Sequence, residues 1–251
     1  MSDRSKSDVD GDRDPSKTRT HILRVAERLF AKHGIDGPTM RQITAAAGTS
    51  LNAVNYHFGS KLGLTYAVFE KLARQVSESR AAELKALKNA AGEKPIPLKA
   101  IIRAALRPYI EGDKSHRILV VRLIQQNRFS PSPLTRRIVE THFDPLAKVI
   151  TGMLHDAAPH LSRRDIFWRY YLMIGTATAA VLDTKPDNRM TRLSKGVADA
   201  ARTEELAEQA LAFIVAGFEG PGTEAAQSSA RPTSRSNGAH GRSRIRTVRA
   251  Y

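Results

Sequence analysis

Apolar residues recur at spacings of three and four along most of the chain between residues 16 and 220, which is the pattern of amphipathic α-helices. Glycine and proline residues interrupt this pattern at intervals, and such residues mark the ends of helices. No stretch shows convincing alternation with the period of two that a half-buried strand requires. The pattern predicts an all-α protein of about nine helices, without internal repeats.

The interruptions also predict where individual helices begin and end. The first helix is expected from Pro15-Ser16 to Gly34, and a long fourth helix from Lys61 to about Asn89. Pro145 is expected to bend a helix that otherwise runs from 134 to 155. Residues 184–202 are predicted to be mainly loop. Further helices are expected at 97–109, 116–127, 163–184 and 203–217.

The stretch TMRQITAAAGTSLNAVNYHFGSK contains three helix starts close together. Thr39 is expected to cap the first of these helices, with Gln42 three residues later completing a capping box. Gly48 falls where the chain must turn through a left-handed conformation, which glycine adopts at little steric cost. Ser50 and Ser60 are placed to cap the two helices that follow. Two short helices joined by a tight turn, and the start of a third, are therefore predicted.

The second of these short helices is unusually polar for one that packs against a core. Asn52, Asn55, Tyr56 and His57 can all donate or accept hydrogen bonds, whereas Phe58 is expected to pack inside. A helical hairpin with a glycine turn occurs in many all-α proteins, so the turn alone leaves its role open. The polar helix favours a helix-turn-helix, whose second helix enters the major groove of DNA.

The charge of the chain supports a polyanionic partner. The formal net charge is +15 at pH 7. Residues 1–15 hold three basic and five acidic side chains, whereas 221–251 hold six arginines and one glutamate. Both segments lack apolar periodicity and are predicted to be disordered, the second as a basic tail. Between them, the predicted domains are a DNA-binding domain at 16–62 and a larger helical domain at 63–220.

Residues 18–64 resemble the DNA-binding domain of the TetR (tetracycline-repressor) family of bacterial transcriptional regulators. The resemblance rests on a helix that ends in F-A-x-x-G, a threonine-initiated helix, the turn A-G-x-S and the motif NYHFGSK. Thr44 stands where the family usually has alanine, and Thr49 where it usually has valine. The resemblance implies a homodimeric, ligand-responsive repressor, which binds a near-palindromic operator and is released by a small hydrophobic ligand. It also implies that the larger domain, 63–220, binds the ligand and dimerises.

Carried over position by position, the resemblance implies which side chains contact DNA. Phosphate contacts are expected from Thr39, Tyr56, His57 and Lys61. Base-edge contacts are expected from Arg41 on the first short helix and from Leu51, Asn52 and Asn55 on the second. Ser50, at the start of the second helix, is also expected to contact DNA. Arginine suits guanine and asparagine suits adenine, whereas leucine offers only an apolar contact. For each asparagine, a merely solvated helix residue is the alternative.

The C-terminal helices carry no motif as specific as that of the first domain. Their apolar faces form either the core or the wall of a ligand pocket. If they form a pocket, the residues expected to bind the ligand are Tyr109, Leu119, Arg122, Leu123, Phe143, Trp168 and Tyr171. Arg122 lies inside the apolar run RILVVRLIQQ, where it is expected to meet an anionic head group or a buried acid. The segments NRFSPSPLTRRIV, HFDPLAKVI and FWRYYLMIGTATAAVLD are distantly similar to acyl-sensing TetR-family proteins, which implies a hydrophobic carboxylate or acyl thioester.

The helix DIFWRYYLMIGTATAAVLD is apolar nearly all round, so it is expected to be buried on several sides. The resemblance implies that this helix and the last one form the dimer interface. The residues expected there are Tyr170, Ile174, Thr178, Leu211, Ile214 and Phe218.

Other classes of function find little support in the sequence. Cysteine is absent, which excludes disulfides, thiolate metal sites and a cysteine nucleophile. No glycine-rich phosphate loop, H-E-x-x-H or G-x-S-x-G motif occurs, so we expect no enzyme, cofactor or metal. The longest apolar stretch, Tyr170–Leu182, is shorter than the ~20 residues that span a bilayer, so a soluble protein without a membrane partner is expected. We expect it in the cytoplasm, associated with the bacterial nucleoid through DNA binding. The alternatives are non-specific nucleic-acid binding through the tail, or a bundle that only sequesters a ligand.

Overall fold

The computed structural model describes residues 15–182 and 188–223, and every regular element within them is an α-helix. Three helices form an N-terminal unit, here called the head, and the other eight form the body. The head contains α1 (Pro15–His33), α2 (Met40–Ala47) and α3 (Leu51–Phe58). The body contains α4 (Lys61–Ala91), α5 (Leu98–Ile110), α6 (Lys114–Phe129), α7 (Pro133–His142), α8 (Asp144–Ala157), α9 (Arg163–Leu182), α10 (Arg189–Leu193) and α11 (Thr203–Glu219).

The described residues therefore contain eleven helices, two more than the sequence pattern predicts. The expected helix from 134 to 155 is divided at Phe143, which ends α7 and precedes α8. Pro145 explains the division, because its ring clashes with the preceding turn and it has no amide hydrogen to donate. The second additional helix, α10, lies in the expected loop, where the Asn188 side chain accepts a hydrogen bond from the amide of Thr191.

The head has a small apolar core and well-defined helix caps. Ile22, Phe30, Ile43 and Val54 from its three helices are almost completely buried. The predicted capping box is confirmed, since the Thr39 hydroxyl accepts the amide of Gln42 and the Gln42 side chain accepts the amide of Thr39. The predicted left-handed turn is also confirmed, with φ 56° at Gly48. Local sequence thus fixes the angle between α2 and α3.

The body is organised around α5, which packs against α4, α6, α8, α9 and α11. Apolar residues of α5 occupy the centre, including Ile102, Ala105 and Leu106, which are fully buried. The 31-residue helix α4 starts at the head and extends into the body. Among the described residues, no helix is both long and apolar enough to cross a membrane.

The expectation that α9 is buried on several sides holds for one face of the helix but not for the other. Phe167, Trp168, Tyr171 and Leu172 are each more than half exposed. The opposite face of α9 packs against α5, α6, α8 and α11. One apolar side of this helix therefore faces solvent in the protomer.

The segments predicted as disordered lie mainly outside the described residues, which begin at Pro15 and end at Thr223. Thr223 contacts the start of α9, where its hydroxyl donates a hydrogen bond to Asp165 at 2.6 Å. Ser162 donates a second hydrogen bond to the same carboxylate at 2.7 Å. These two bonds, the one from Thr223 first, lower the pKa of Asp165 to about 2. The predicted end of α9 at Thr184 also falls outside the described residues.

Candidate nucleic-acid interface

The polar side of α3 faces solvent. Tyr56 is 83% exposed, and Asn52 and Asn55 are exposed beside it, whereas Val54 on the opposite side is completely buried. Leu51, at the first position of the helix, is 42% exposed. Residues at spacings of three and four share one side of a helix, so these four exposed side chains form one continuous surface. This surface has the composition expected of a recognition helix.

The hydroxyl residues at the helix starts hold the backbone of this surface in place. The Ser50 hydroxyl accepts the amide of Ala53 at 3.1 Å, and the Ser60 hydroxyl accepts the amide of Gly63 at 3.1 Å. The structure therefore assigns Ser50 a capping role at the start of α3. Helix starts of this kind present free amides and the positive end of the helix dipole, both of which favour phosphate.

The cationic residues expected at the interface lie on the helices before and after α3. Arg41 is exposed on α2. Lys61 is the first residue of α4, and its ammonium group donates a hydrogen bond to the backbone carbonyl of Asp36 at 2.9 Å. This bond limits the positions available to a long, flexible side chain. The surface thus places cations beside α3 and amides on it.

A shallow groove of about 690 Å³ runs along the turn between α2 and α3. Its wall includes Ser50, Asn52, Tyr56 and His57, together with Thr18 from α1. Tyr56 and His57 contact each other edge to face, with ring centroids 5.1 Å apart. Four of the nine residues expected at the interface therefore share one concave surface.

The two departures from the family pattern fit the head without strain. Thr44 is buried, and its hydroxyl donates to the carbonyl of Arg41 at 2.9 Å, so no buried polar group is left unpaired. Thr49 is half-buried, and its amide donates to the carbonyl of Thr44 at 3.1 Å as the chain leaves α2. Phe58 is half-buried and packs against the core as expected, with the Arg19 guanidinium 5.3 Å from its ring centre.

An ion-pair cluster joins the head to the body, and the sequence pattern did not reveal it. Glu27 on α1 is buried, and its carboxylate contacts Lys71 on α4 at 2.8 Å and His116 on α6 at 2.9 Å. The hydrogen bond from His116, assisted by that from Lys71, lowers the pKa of Glu27 to about 2 although burial opposes this. The same bond raises the pKa of His116. We call Glu27, Lys71 and His116 the junction.

The body contains a cavity of about 370 Å³ between α4, α5, α6, α7, α8 and α9. We call it the aromatic cavity, because its wall includes Tyr109, Phe143, Phe167, Tyr170 and Tyr171. This volume lies within the range of small-molecule sites, which is ~300–1,000 Å³. Three residues expected in a ligand pocket, Tyr109, Phe143 and Tyr171, thus line one cavity. Tyr170, which was expected in the dimer interface, lines it as well.

The other expected ligand residues do not line the aromatic cavity. Leu119 and Leu123 are completely buried in the core, and Trp168 is 58% exposed on the outer side of α9. Arg122 contacts the end of α1 instead, where a Cβ placed on Gly34 would lie 3.0 Å from its Nη1. Arg122, a cation inside an apolar helix, was expected to line the ligand pocket, but it lies at the boundary between head and body.

Arg80 is a buried cation that borders the aromatic cavity, and the sequence reasoning missed it. Its exposure is only 3%, although it sits in the polar run ARQVSESRAAEL. A signal was present, because Leu72, Val76 and Leu84 are inward-facing and Arg80 continues their four-residue spacing. Position in the helical repeat therefore predicted burial where residue type suggested exposure.

The residues expected in the dimer interface are mostly internal to the protomer. Ile174, Thr178, Leu211, Ile214 and Phe218 are all buried where α9 packs against α11 and the core. The apolar side chains of these two helices that do reach the surface include Trp168, Leu172 and Phe213, the last of which is 71% exposed. We call these three the apolar patch. A dimer interface formed by α9 and α11 would contain the exposed patch residues, whereas the expected residues would pack beneath them inside the protomer.

Comparison with known families follows the same division into head and body. Residues 22–68 match the family described as bacterial regulatory proteins, tetR family. Residues 99–217 match the domain described as Tetracyclin repressor-like, C-terminal domain. The chain belongs to the TetR family. Its fold is accordingly the expected one, a helix-turn-helix head on a larger helical body.

Individual TetR-family relatives extend the comparison. The HTH-type transcriptional repressor AcnR of Corynebacterium glutamicum is 40% identical over 64 residues, which are 26% of this chain and 34% of that protein. The regulator AcrR of Shigella flexneri is 38% identical over 68 residues, 27% of this chain and 29% of that protein. This chain thus spans about a third of the length of the curated relatives it matches.

A solved structure extends the similarity to the body. A TetR-family transcriptional regulator from Mesorhizobium loti aligns with a TM-score of 0.56, covering 82% of this chain and 98% of that chain. The sequence identity is 18%, so this likeness concerns the fold alone.

Proposed function

We propose that this protein is a ligand-responsive transcriptional repressor, which binds a near-palindromic operator as a homodimer and is released by a small hydrophobic ligand. The observation that carries the proposal is the exposed polar surface of α3. Asn52, Asn55 and Tyr56 project from a helix whose other side is fixed in the core. Amides reach base edges in the major groove, and tyrosine and lysine reach phosphates.

The apolar patch supports a dimer. Trp168 and Leu172 lie on α9 and Phe213 lies on α11, which packs against α9, and all three are more than half exposed. Large exposed apolar side chains on adjoining helices favour an interface with another chain. A two-fold axis through the patch would give two heads related by symmetry, and such a dimer reads a near-palindrome.

Two helices connect the aromatic cavity to the head, which supports regulation by a ligand. α4 carries Arg80 at the cavity and Lys71 at the junction. α6 carries Asn127 at the cavity and His116 at the junction. A ligand that shifts either helix would change the angle of the head, and two displaced heads no longer fit two half-sites ~34–36 Å apart.

Selection of bound fragments from genomic DNA, followed by fluorescence anisotropy, tests the proposal. We expect one near-palindromic consensus, bound at least ~10³-fold more tightly than random DNA of equal length at the same salt concentration. Equal affinity for the consensus and random DNA would instead support the alternative function, non-specific binding. Failure to bind any duplex would contradict the proposal outright.

A further inference from the structure

Arg80 is a buried cation, and its side chain has no paired anion among the residues that the structure describes. None of the residues that the structure describes accepts a hydrogen bond from its Nε or Nη2, and both atoms are shielded from solvent. Glu83, one turn further along α4, pairs with Arg107 at 3.2 Å. A guanidinium stays charged at any physiological pH, so Arg80 cannot lower the cost of burial by losing a proton.

The aromatic side chains around Arg80 compensate for this charge only in part. Its guanidinium carbon lies 5.7 Å from the centre of the Tyr109 ring, a distance at which the ring attracts a cation. Such an attraction is much weaker than the hydration that a buried ion loses. The site is therefore suited to a partner that brings a negative charge.

A second unpaired polar group borders the same cavity. The side-chain oxygen of Asn127, on α6, is buried without a hydrogen-bond donor among the described residues. Rotation of the amide by half a turn would present an N–H donor in its place. Arg80 and Asn127 thus offer buried polar groups from two helices to a cavity whose other charged side chains, Arg128 and Asp144, are exposed.

The surroundings indicate which side of Arg80 the anion would occupy. Arg80 also borders a second cavity, whose wall carries the carboxylates of Glu83 and Glu111. Arg107, on the same wall, pairs with both carboxylates at 3.2 Å, so that cavity has a polar wall of paired charges, which suits an apolar ligand poorly. The aromatic cavity carries one acid, Asp144, and a further cation, Arg128, both of them exposed. Its charge and its walls favour an apolar anion.

We propose that the aromatic cavity binds a compact hydrophobic carboxylate, whose charged group pairs with Arg80. A carboxylate matches the planar guanidinium in a bidentate arrangement, and the apolar part of the ligand lies against Tyr109, Phe143 and Tyr170. A volume of about 370 Å³ favours a small acid over a coenzyme A thioester. This inference rests on the proposed function, because the acid is the ligand that would release the operator.

The test compares acids with their uncharged analogues. Octanoate and phenylacetate, each paired with its primary amide, are titrated into the full-length protein by calorimetry, with octanoyl-coenzyme A alongside. We expect the wild type to prefer an acid to its amide by about 10- to 100-fold, as hydrogen bonds to a charged group provide. Arg80→Leu should lose this preference and keep its affinity for the amide. Arg74→Leu, which changes an exposed arginine of the same helix outside the cavity, should keep the preference.

Asn127→Asp provides a second variant in case Arg80→Leu does not fold. The substitution is nearly isosteric and adds a negative charge at the cavity wall, so affinity for the acid should fall while affinity for the amide stays. Equal binding of acid and amide by the wild type, or an unchanged preference in Arg80→Leu, would overturn the inference. No binding by either acid, or binding of octanoyl-coenzyme A alone, would overturn it as well.

Operator binding separates this inference from the proposed function. Anisotropy of labelled operator is measured for the wild type without acid and then with increasing octanoate or phenylacetate. Operator binding without any response to acid, in a protein that binds no acid, defeats only the inference. Acid binding by a protein that recognises no DNA defeats the proposed function and leaves the carboxylate site standing.

Discussion

The α3 surface and the aromatic cavity differ in how the chain builds them. Every residue expected to contact DNA lies between Thr39 and Lys61, and helix caps within that stretch fix the backbone. The cavity draws Arg80, Tyr109 and Tyr170 from three helices far apart in sequence. A surface site made by local structure can be predicted from sequence, whereas a buried site depends on packing that the sequence pattern does not specify.

The two regions also differ in what an unpaired polar group costs. Asn52 and Asn55 are exposed, so water satisfies their amides until DNA replaces it. Arg80 is almost fully buried and has no such substitute. The exposed amides of the head therefore do not destabilise the protein when DNA is absent, whereas binding of a ligand in the cavity would stabilise the folded protein.

The largest expected effect comes from separating the two heads. Phe213→Glu places a charge in the apolar patch and should give monomers, because burying that charge without a partner is too costly. Since a monomer loses the gain from two linked contacts, operator affinity should fall about 100-fold or more. Light scattering and anisotropy measure the two changes.

Val149→Glu serves as the control for Phe213→Glu, since it puts the same charge at an exposed apolar position on α8. This variant should remain dimeric and bind the operator. An unchanged dimer mass for Phe213→Glu would place the interface elsewhere on the body.

The next effect distinguishes reading of bases from attraction to phosphate within the head. Arg41→Ala should cost about 1–3 kcal/mol and relax the preference at one or two base pairs of each half-site. Lys61→Ala should weaken binding to all sequences and reduce the salt slope by about 1. Anisotropy with the operator and its single-base variants, at several salt concentrations, measures both. The same uniform loss in both variants would show that the assigned roles are wrong.

The sequence predicted the fold and the α3 surface largely because their signals are local. Thr39, Gly48 and Ser50 specify the turn through contacts within four residues of themselves. The helical repeat of α4 indicated that Arg80 is buried, but it could not show what surrounds the side chain, because Tyr109 lies 29 positions later and the rest of the cavity comes from other helices. Arg122 was wrongly predicted to line the ligand pocket for the same reason, because the pattern could not show that it lies against Gly34 in another domain. Pairing between distant helices was invisible to a one-dimensional pattern.

The junction predicts how stability depends on pH. The pKa of Glu27 is lowered from 4.5 to about 2 by its bonds to His116 and Lys71, so its stabilisation is present above pH 4.5 and lost as the pH falls towards 2. The pKa of His116 is raised from 6.5 by the same contact, so that stabilisation is present below 6.5 and lost as the pH rises through the raised value. The unfolding free energy should therefore decline on both sides of a maximum.

Glu27→Gln tests the junction directly. It should lower the unfolding free energy by about 2 kcal/mol near the maximum and flatten both slopes. Urea unfolding at a series of pH values measures this. Glu208→Gln, which removes an exposed ion pair with Arg103, should cost less than about 1 kcal/mol and keep the pH profile. A wild-type profile retained in Glu27→Gln would exclude the junction as its source.

The smallest expected effect concerns residues 224–251, which lie outside the described residues and carry six arginines and one glutamate. Deleting them should lower DNA affinity at low salt and leave the selected consensus unchanged, because arginines in such a tail attract phosphates without reading bases. Affinity for operator and random DNA should fall by the same factor. A changed consensus would show that the tail reads a groove.

The most direct test of the account is selection of DNA by the wild type and by Asn55→Ala in parallel. Asn55 is exposed on α3, where we expect it to read an adenine, and it has no packing role that its loss would disturb. If α3 reads DNA, the wild type should select one near-palindromic consensus. Asn55→Ala should then show a relaxed preference at one symmetric pair of positions, with the rest of the consensus unchanged. An identical consensus from both proteins, or none from the wild type, would contradict the claim that α3 reads DNA.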